Sequence, residues 1–400
     1  MSNKLIEKRV IILCDGNYPK RATPANLLKD AQKEVKARDL AQRVLTRKNN
    51  EKGVVTEYNA ICHNWKKSCL VACDGAMHSL LTKRMSADFI VGDMDTLQQC
   101  FQKKYAKKIF KESEQQTNDQ SKAFRFSLGL IEEDFKSIMN ILQKEVEARI
   151  ELAKAKEVRK NLYNAEIETA HNVQSIEAEI AEAEKTKDKV ALKALQSKLN
   201  KALAADKTAI AKAKAAKEAV AQATKVAQEA TALSAAYGAK SDVRPVEETA
   251  NPADDRYYDV VYKIYIVGAT GGREDHSLGN ISHLADYAAE LPEFVAALSK
   301  IKQPKNVHLV PSADIQMVTD NGVFIPATNS IELVGRRGDG LSIFSFDPTL
   351  KITSKGLEYK TDKVVFDMWW KATLNKFAER KVELNFNHPA KVLLYLPYRR

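Results

Sequence analysis

Two aspartates two positions apart, Asp93 and Asp95, close the apolar run "DFIVGDMDTL". In extended chain, residues i and i+2 project to the same side. Two carboxylates converging there repel unless a positive charge sits between them, and a hard divalent cation such as Mg²⁺ answers that need. A third acid, Asp119, opens a helical stretch in "EQQTNDQSKA", with Lys122 one turn further on. A fourth, Asp74, follows the run "CLVACDGA". Singly, each has an ordinary reading: Asp119 caps a helix and complements its dipole, and Asp74 forms an Asp-Gly turn. It is the recurrence of acids at the ends of apolar runs that points to a site.

A fourth stretch, "IYIVGATGGREDHSLGN" at 264–280, supplies a different chemistry. Gly268, Gly271 and Gly272 allow backbone to approach a ligand closely, and the helix that follows offers its first amides to phosphate. Arg273 carries a planar fork suited to phosphate oxygens. No Gly-Lys-Ser/Thr follows, so this is not a Walker loop, and the spacing is not G-x-G-x-x-G. Together with the paired acids it predicts a magnesium–nucleotide site.

The elements that must position these residues are short. "VIILCDG" at 10–16, "CLVACDGA" at 69–76, "DFIVGDMD" at 88–95 and "IYIVGATGG" at 264–272 are continuously apolar, as strands covered on both faces are. Helical patterns alternate with them, which predicts a parallel α/β sheet with ligands at the carboxyl ends of its strands. From about residue 305 the texture becomes short strands between Asn, Gly, Asp and Pro turns, among them "VHLVP", "IQMVTD" and "KVELNF", and reads as an all-β sandwich. Between Gly129 and Gly238 there is neither glycine nor proline. That Ala/Lys/Glu-rich stretch predicts long helices with Leu192, Leu195, Leu199, Leu203 and Ile210 on one stripe. A hairpin or coiled-coil pair is expected, because so thin a stripe needs a partner.

The expected organisation is therefore an α/β domain over 1–128 plus 260–304, a helical insertion over 130–240, a linker over 241–259 and a β-sandwich over 305–400. The insertion runs from a helix to a strand, as does the segment 31–66. In a parallel sheet such connections lie at the amino ends, opposite the ligands, so neither is expected to take part in chemistry.

Composition permits this reading. The chain has 400 residues, a net charge of +11 and an apolar fraction of 44%, enough for a core and favourable to polyanionic ligands. Its five cysteines are an odd set with nothing resembling a signal peptide before them, which predicts reduced thiols in a cytoplasmic protein. "CHNWKKSC" places Cys62, His63 and Cys69 together but fits no standard zinc spacing. No apolar run is long enough to cross a bilayer. The lysine-rich helices also carry many acids, so a solvated face is expected rather than a nucleic-acid surface, with an arm for a protein partner as the other reading.

In order, "CDGA", "DFIVGDMDTL", "EQQTNDQSKA" and "GATGGREDHSLGNI", followed by "LSIFSF" and "TSKGLEY", resemble the thiamine pyrophosphokinase family. The resemblance covers most of 8–30, 68–128 and 262–400, and not the helical segment. It implies Mg²⁺-dependent transfer of the diphosphate group of ATP to thiamine, giving thiamine diphosphate and AMP. It makes Asp93, Asp95 and Asp119 the metal ligands, sets Asp74 beside them and Lys122 near the transferred group. It gives the ATP to Gly271, Gly272, Arg273, Asp275 and His276. It places thiamine at a homodimer interface, against Gln115, Tyr359 and Asn375, with Trp369 and Trp370 as extra wall or as ordinary packing. Leu374 stands where the family has a small polar residue, and Asn118 where many members have Thr. Two other readings stay open: a pyrophosphokinase with a different acceptor, and a catalytically idle core that serves as a scaffold through its arm.

Overall fold

A computed structural model describes residues 4–18, 27–48, 65, 67–236 and 254–399. The elements in chain order begin with β1 (Lys4–Leu13), α1 (Leu27–Lys48), β2 (Ser68–Cys73), α2 (Ala76–Thr82), β3 (Phe89–Gly92), α3 (Gln99–Lys104) and β4 (Ile109–Lys111). Two long helices follow, α4 (Asp119–Thr186) and α5 (Lys189–Ala236), then β5 (Arg256–Val267) and α6 (Glu274–Ser299). The carboxyl half of the fold holds β6 (Val307–Val318), β7 (Gly322–Ala327), β8 (Ile331–Val334) and β9 (Gly340–Ser345). It ends with β10 (Ile352–Lys355), β11 (Ala372–Lys376), β12 (Lys381–Phe386) and β13 (Val392–Pro397).

The apolar runs are strands for the reason their composition gives: β2 and β3 are buried at every position, β2 packed by α1, α2 and α4 and β3 by α4. β1 lies between β2 and β5 and is parallel to both. The order β4-β3-β2-β1-β5-β6 reverses direction at β1, which opens a crevice beyond the carboxyl ends of β1 and β5.

Sheet and sandwich are less separate than the sequence predicts. "VHLVP" and "IQMVTD" are one strand, β6, parallel to β5 over its whole length. Pro311 at its middle looks like a break, yet β7 pairs β6 only at Met317 and Val318. The proline therefore sits where one edge of β6 is free, a place a strand tolerates it. The consequence is a single ten-stranded sheet, continued through β7, β13, β9 and β11, with the three-stranded sheet β10-β12-β8 packed against its far half. The second core between them includes Leu341, Ile343, Phe366, Phe377, Val382 and Leu394.

The long segment is a helical hairpin that grows out of the core. α4 is one unbroken helix of 68 residues, about 100 Å at 1.5 Å per residue. Its first half is buried in the sheet's core through Leu130, Phe135, Ile138, Leu142 and Val146. Asp134 locks it there: its carboxylate lies 3.2 Å from Lys8 Nζ and accepts a hydrogen bond from Tyr262 at 3.0 Å, with Lys8 and Asp134 wholly buried. Near Val146 the helix passes the start of β5, where Glu145 is 3.7 Å from Arg256. Beyond that point it leaves the amino end of the sheet.

Lys187, in the left-handed region at φ 56°, turns the chain back. Arg149 then meets Thr231, Thr169 meets Asp206, and Glu179 meets Lys198, so the helices are antiparallel. Alternating steps of three and four put Leu192, Leu195, Leu199, Ala202, Ala216 and Val220 toward α4, whereas Leu203 and Ile210 fall off that stripe and are exposed. The predicted stripe runs through Leu203 and Ile210 because it steps by four too often; the observed one keeps a mean of 3.5.

Around the hairpin, β5 begins at Arg256, inside the stretch read as a linker; residues 241–253 of that stretch lie outside the described residues. So do Cys62 and His63. In the 31–66 segment, Arg38 of α1 grips Asp88 at 2.7 Å and the Ser68 carbonyl, at the amino ends of β3 and β2. Among the described residues no helix is long and apolar enough to cross a membrane.

Candidate active site

A cavity of about 410 Å³ opens at the carboxyl ends of β1, β2 and β3, between the first turns of α4 and α6. Asp93, Asp95, Gln115, Asp119, Lys122 and His276 all line it. Asp74, fully buried between the lining residues Cys73 and Gly75, accepts hydrogen bonds from the Gly75 and Met94 amides at 2.7 and 2.8 Å. That carboxylate does more than make an Asp-Gly turn, because it ties the loop after β3 to the end of β2. Gly92 leaves room for it: a Cβ there would sit 2.6 Å from the Asp74 carboxyl carbon.

One oxygen each from Asp74, Asp93 and Asp95 lie within 4.8 Å of one another. The convergence of Asp93 and Asp95 does not come from strand alternation, since β3 stops at Gly92. Met94 between them adopts φ 67° with its side chain buried, and the Asp95 amide donates to Asp93 at 3.1 Å. A left-handed non-glycine residue costs of order 1–3 kcal/mol, and such strain is held at functional sites. A tight turn, and not an extended chain, aims the two acids together.

Asp119 is not the cap of α4. Asn118 is: its side chain accepts from the Ser121 amide at 2.9 Å, and its amide group donates to Asn280 of α6 at 3.0 Å. Asp119 is therefore free to face Asp74 and Lys122. Lys122 Nζ lies 3.2 Å from Asp119 and 3.5 Å from Asp93, and Gln115 donates to Asp93 at 3.0 Å.

The electrostatics follow from this crowding. Burial, and then the Asp74 charge, push the Asp119 carboxyl up to about 6, against the opposing pull of Lys122. The Asp95 amide, with smaller help from Gln115 and Lys122, holds Asp93 below the usual carboxylate range. Its hydrogen bond and charge in turn raise Asp95. Burial alone would lower Lys122, but its bonds to Asp119 and Asp93 hold it above its ordinary value. Burial raises Asp15. Five carboxylates, Asp15 included, against one lysine leave an excess of negative charge, and the converging donors of Asp74, Asp93 and Asp95 are hard oxygens. That set fits Mg²⁺ and does not fit a soft metal.

The glycine loop after β5 is placed differently from the expectation. Gly268 and Gly271 have φ 76° and 85°, and Cβ atoms on them would meet Cys14 O at 2.7 Å and Asn17 Nδ2 at 2.4 Å. Their bare backbone makes room for the loop after β1. Gly272 has no close neighbour, and Arg273 is exposed and pairs with Asp275 at 2.6 Å. Among the residues predicted there, only His276 lines the cavity.

Tyr359 and Asn375 lie in the β-rich region and do not line this cavity. Asn375 is buried, accepting from the Tyr359 and Lys376 amides and donating to the Tyr359 carbonyl, so it clips the bend after β10 that carries Tyr359. The Tyr359 ring is 60% exposed, and Leu374, at φ 59°, is 83% exposed.

Sequence reasoning missed Asp15, which lines the cavity and accepts from Ser79 at 3.2 Å, and Asn280, which donates to the Ala269 carbonyl. A signal for Asp15 was present: Cys14-Asp15-Gly16 repeats as Cys73-Asp74-Gly75 at the ends of neighbouring strands.

A family model for the catalytic domain of thiamin pyrophosphokinase matches residues 61–151, which hold Asp74, Asp93, Asp95, Asp119 and Lys122 but not Asp15. A second, for the substrate-binding domain of thiamin pyrophosphokinase, matches residues 322–395. Among solved structures, the chain is similar to the thiamin pyrophosphokinase from Candida albicans at 12% identity, over 99% of this chain and 93% of that one, with a TM-score of 0.43. It is also similar to the thiamine pyrophosphokinase from Bacillus subtilis at 10% identity, over 98% and 100%, with a TM-score of 0.42. No curated protein matches it. Residues 61–151 and 322–395 thus match the catalytic and the substrate-binding domain of the thiamin pyrophosphokinase family, in order, and the long helical hairpin is an insertion between the two.

Proposed function

We propose that the protein transfers the diphosphate group of ATP to thiamine, with Mg²⁺, giving thiamine diphosphate and AMP. The observation that carries this reading is the meeting of Asp74, Asp93 and Asp95 oxygens within 4.8 Å, beside Lys122, at the carboxyl ends of the strands. The complete acid set supports an enzyme over an idle scaffold. Asp74, Asp93 and Asp95 would hold the metal, with Asp119 at its side. Bound there, Mg²⁺ supplies charge neutralisation for the phosphoryl oxygens of ATP.

The chain's own residues do the rest by positioning. Lys122, held by Asp119 and Asp93, presents its ammonium group to the transferred phosphates as they gain charge. His276 of α6 reaches the same cavity and binds the nucleotide end. Gln115, oriented by Asp93, holds the acceptor. The thiamine hydroxyl oxygen bonds to the β-phosphorus and releases its proton to water, the bond from that phosphorus to the oxygen bridging to the α-phosphorus breaks, and AMP departs with that oxygen.

The acceptor pocket needs a second copy in this reading. Tyr359, Val365, Met368, Trp370 and Leu374, all within one short stretch of the β-rich region, are exposed, and a second copy that covered them would bury that apolar surface. In this reading the α/β part, extended by the first half of α4 and by all of β5 and β6, supplies metal and nucleotide, and the β-rich part from β7 onward supplies the thiamine wall. Phosphorus NMR of a reaction with Mg·ATP and thiamine tests the transfer. AMP and thiamine diphosphate are expected; ADP with thiamine monophosphate would refute transfer of a diphosphate.

A further inference from the structure

The repeated Cys-Asp-Gly tripeptides put two thiols beneath the acid cluster. β1 and β2 are parallel neighbours, with Leu13 opposite Ala72, so Cys14 and Cys73 follow at matching positions. Their sulfurs are 4.0 Å apart. Both are almost fully buried at 6% and 5% exposure, and both form part of the cavity wall. Adjacent strands lie about 4.8 Å apart, and a disulfide spans Cα separations of roughly 4.4–6.8 Å. Closing the gap to a bond of about 2 Å therefore needs side-chain rotation and a small backbone shift.

Each thiol immediately precedes an acid of the site. Cys14 leads into Asp15 and Cys73 into Asp74, whose two hydrogen bonds set the loop that carries Asp93 and Asp95. Drawing the two strand ends together would displace those acids. Cys14 also lies 3.7 Å from Gln120 in the first turn of α4, next to Asp119.

We propose that Cys14 and Cys73 are an oxidisable pair that closes to a disulfide under the acid cluster and shuts the site. The oxidant is a small peroxide, which the cavity admits. One sulfur attacks a peroxide oxygen and the O–O bond breaks; the thiol proton leaves with the other oxygen as water, and a sulfenic acid remains. The second sulfur displaces that hydroxyl, the S–S bond forms, and the second thiol proton completes another water. The sulfurs lose two electrons and the peroxide oxygens gain them.

The pairing stands apart from the reaction proposed above; only its effect on turnover rests on that reading. The test treats the full-length protein with hydrogen peroxide, follows intact mass and maps peptides without reduction. The expected result is a loss of about 2 Da, two hydrogens, with a linked Cys14–Cys73 peptide that dithiothreitol dissolves. Diphosphate transfer falls about 100-fold, as an ångström-scale misplacement of catalytic groups does, and returns on reduction. Cys14→Ser, and Cys73→Ser should the first fail to fold, yield no linked peptide and keep their own untreated activity under peroxide.

Absence of the linked peptide under peroxide that fully oxidises the exposed Cys100 would overturn the pairing. Equal reversible inactivation of both serine variants would overturn the switch. If the reduced protein shows no transfer at all, the functional reading fails, and the mass map still decides the disulfide.

Discussion

Asp93 and Asp119 sit in one cavity but do different things, and single substitutions separate them. Asp93→Asn removes a carboxylate from the trio and a partner of Lys122. Its turnover should fall by about 10²–10³ or more, the scale of losing one electrostatic contact in a catalytic site, with an unchanged circular dichroism spectrum. AMP release near the wild-type rate would contradict the metal assignment. Asp119 predicts a pH dependence. Its carboxyl is raised to about 6, so in the metal-free protein a proton competes for it below that pH and not above. Mn²⁺ affinity, read by fluorescence quenching or paramagnetic resonance, should rise between about pH 5 and 7 and then level off. Asp119→Asn should flatten that slope; a slope unchanged in the variant would place the titration elsewhere. The acids were legible because three of them, Asp74, Asp93 and Asp95, end apolar runs and Asp119 opens a helix, whereas the left-handed turn at Met94 was not, since nothing about a methionine announces positive φ. Asp119 looked like a helix cap until the geometry gave that work to Asn118.

At the scale of elements, α4 joins the site to the arm in one helix, with Asp119 and Lys122 in its first turn and a tip about 100 Å away. Where the core ends along it decides what can be removed. A deletion of 132–258 takes Asp134, Phe135, Ile138 and Leu142, and leaves Lys8 buried without its carboxylate. Breaking a buried pair in this way costs about 3–5 kcal/mol, and losing the Phe135 ring a further 3–5 kcal/mol or so; together these rival the stability of a domain. Cutting 154–223 and rejoining the helices through a short glycine turn keeps the packed half and the contact of Arg149 with Thr231. That variant should fold and keep its turnover within about twofold, because the arm leaves the amino end of the sheet. A folded variant that has lost activity would show that the arm acts on the site. The helical character and the far end of the arm were readable from composition and connection order. The true register was not, because an alanine-rich interface hides which residues face inward. β6 was hidden by Pro311, whose tolerance depends on a free strand edge that only the assembled sheet reveals.

For the whole molecule, the strand order β4-β3-β2-β1-β5-β6 places one crevice where the direction of winding reverses, and the acids gather there. The exposed Tyr359, Trp370 and Leu374 belong to the β-rich region and do not line that cavity, so under the proposed function the acceptor wall and the metal site meet only between copies. The most direct measurement is AMP release from Mg·ATP with and without thiamine, with the product identified by mass. AMP that appears only with thiamine, together with thiamine diphosphate, is the expected outcome. AMP formed regardless of thiamine, or no AMP in a folded and magnesium-loaded protein, would contradict diphosphate transfer to thiamine.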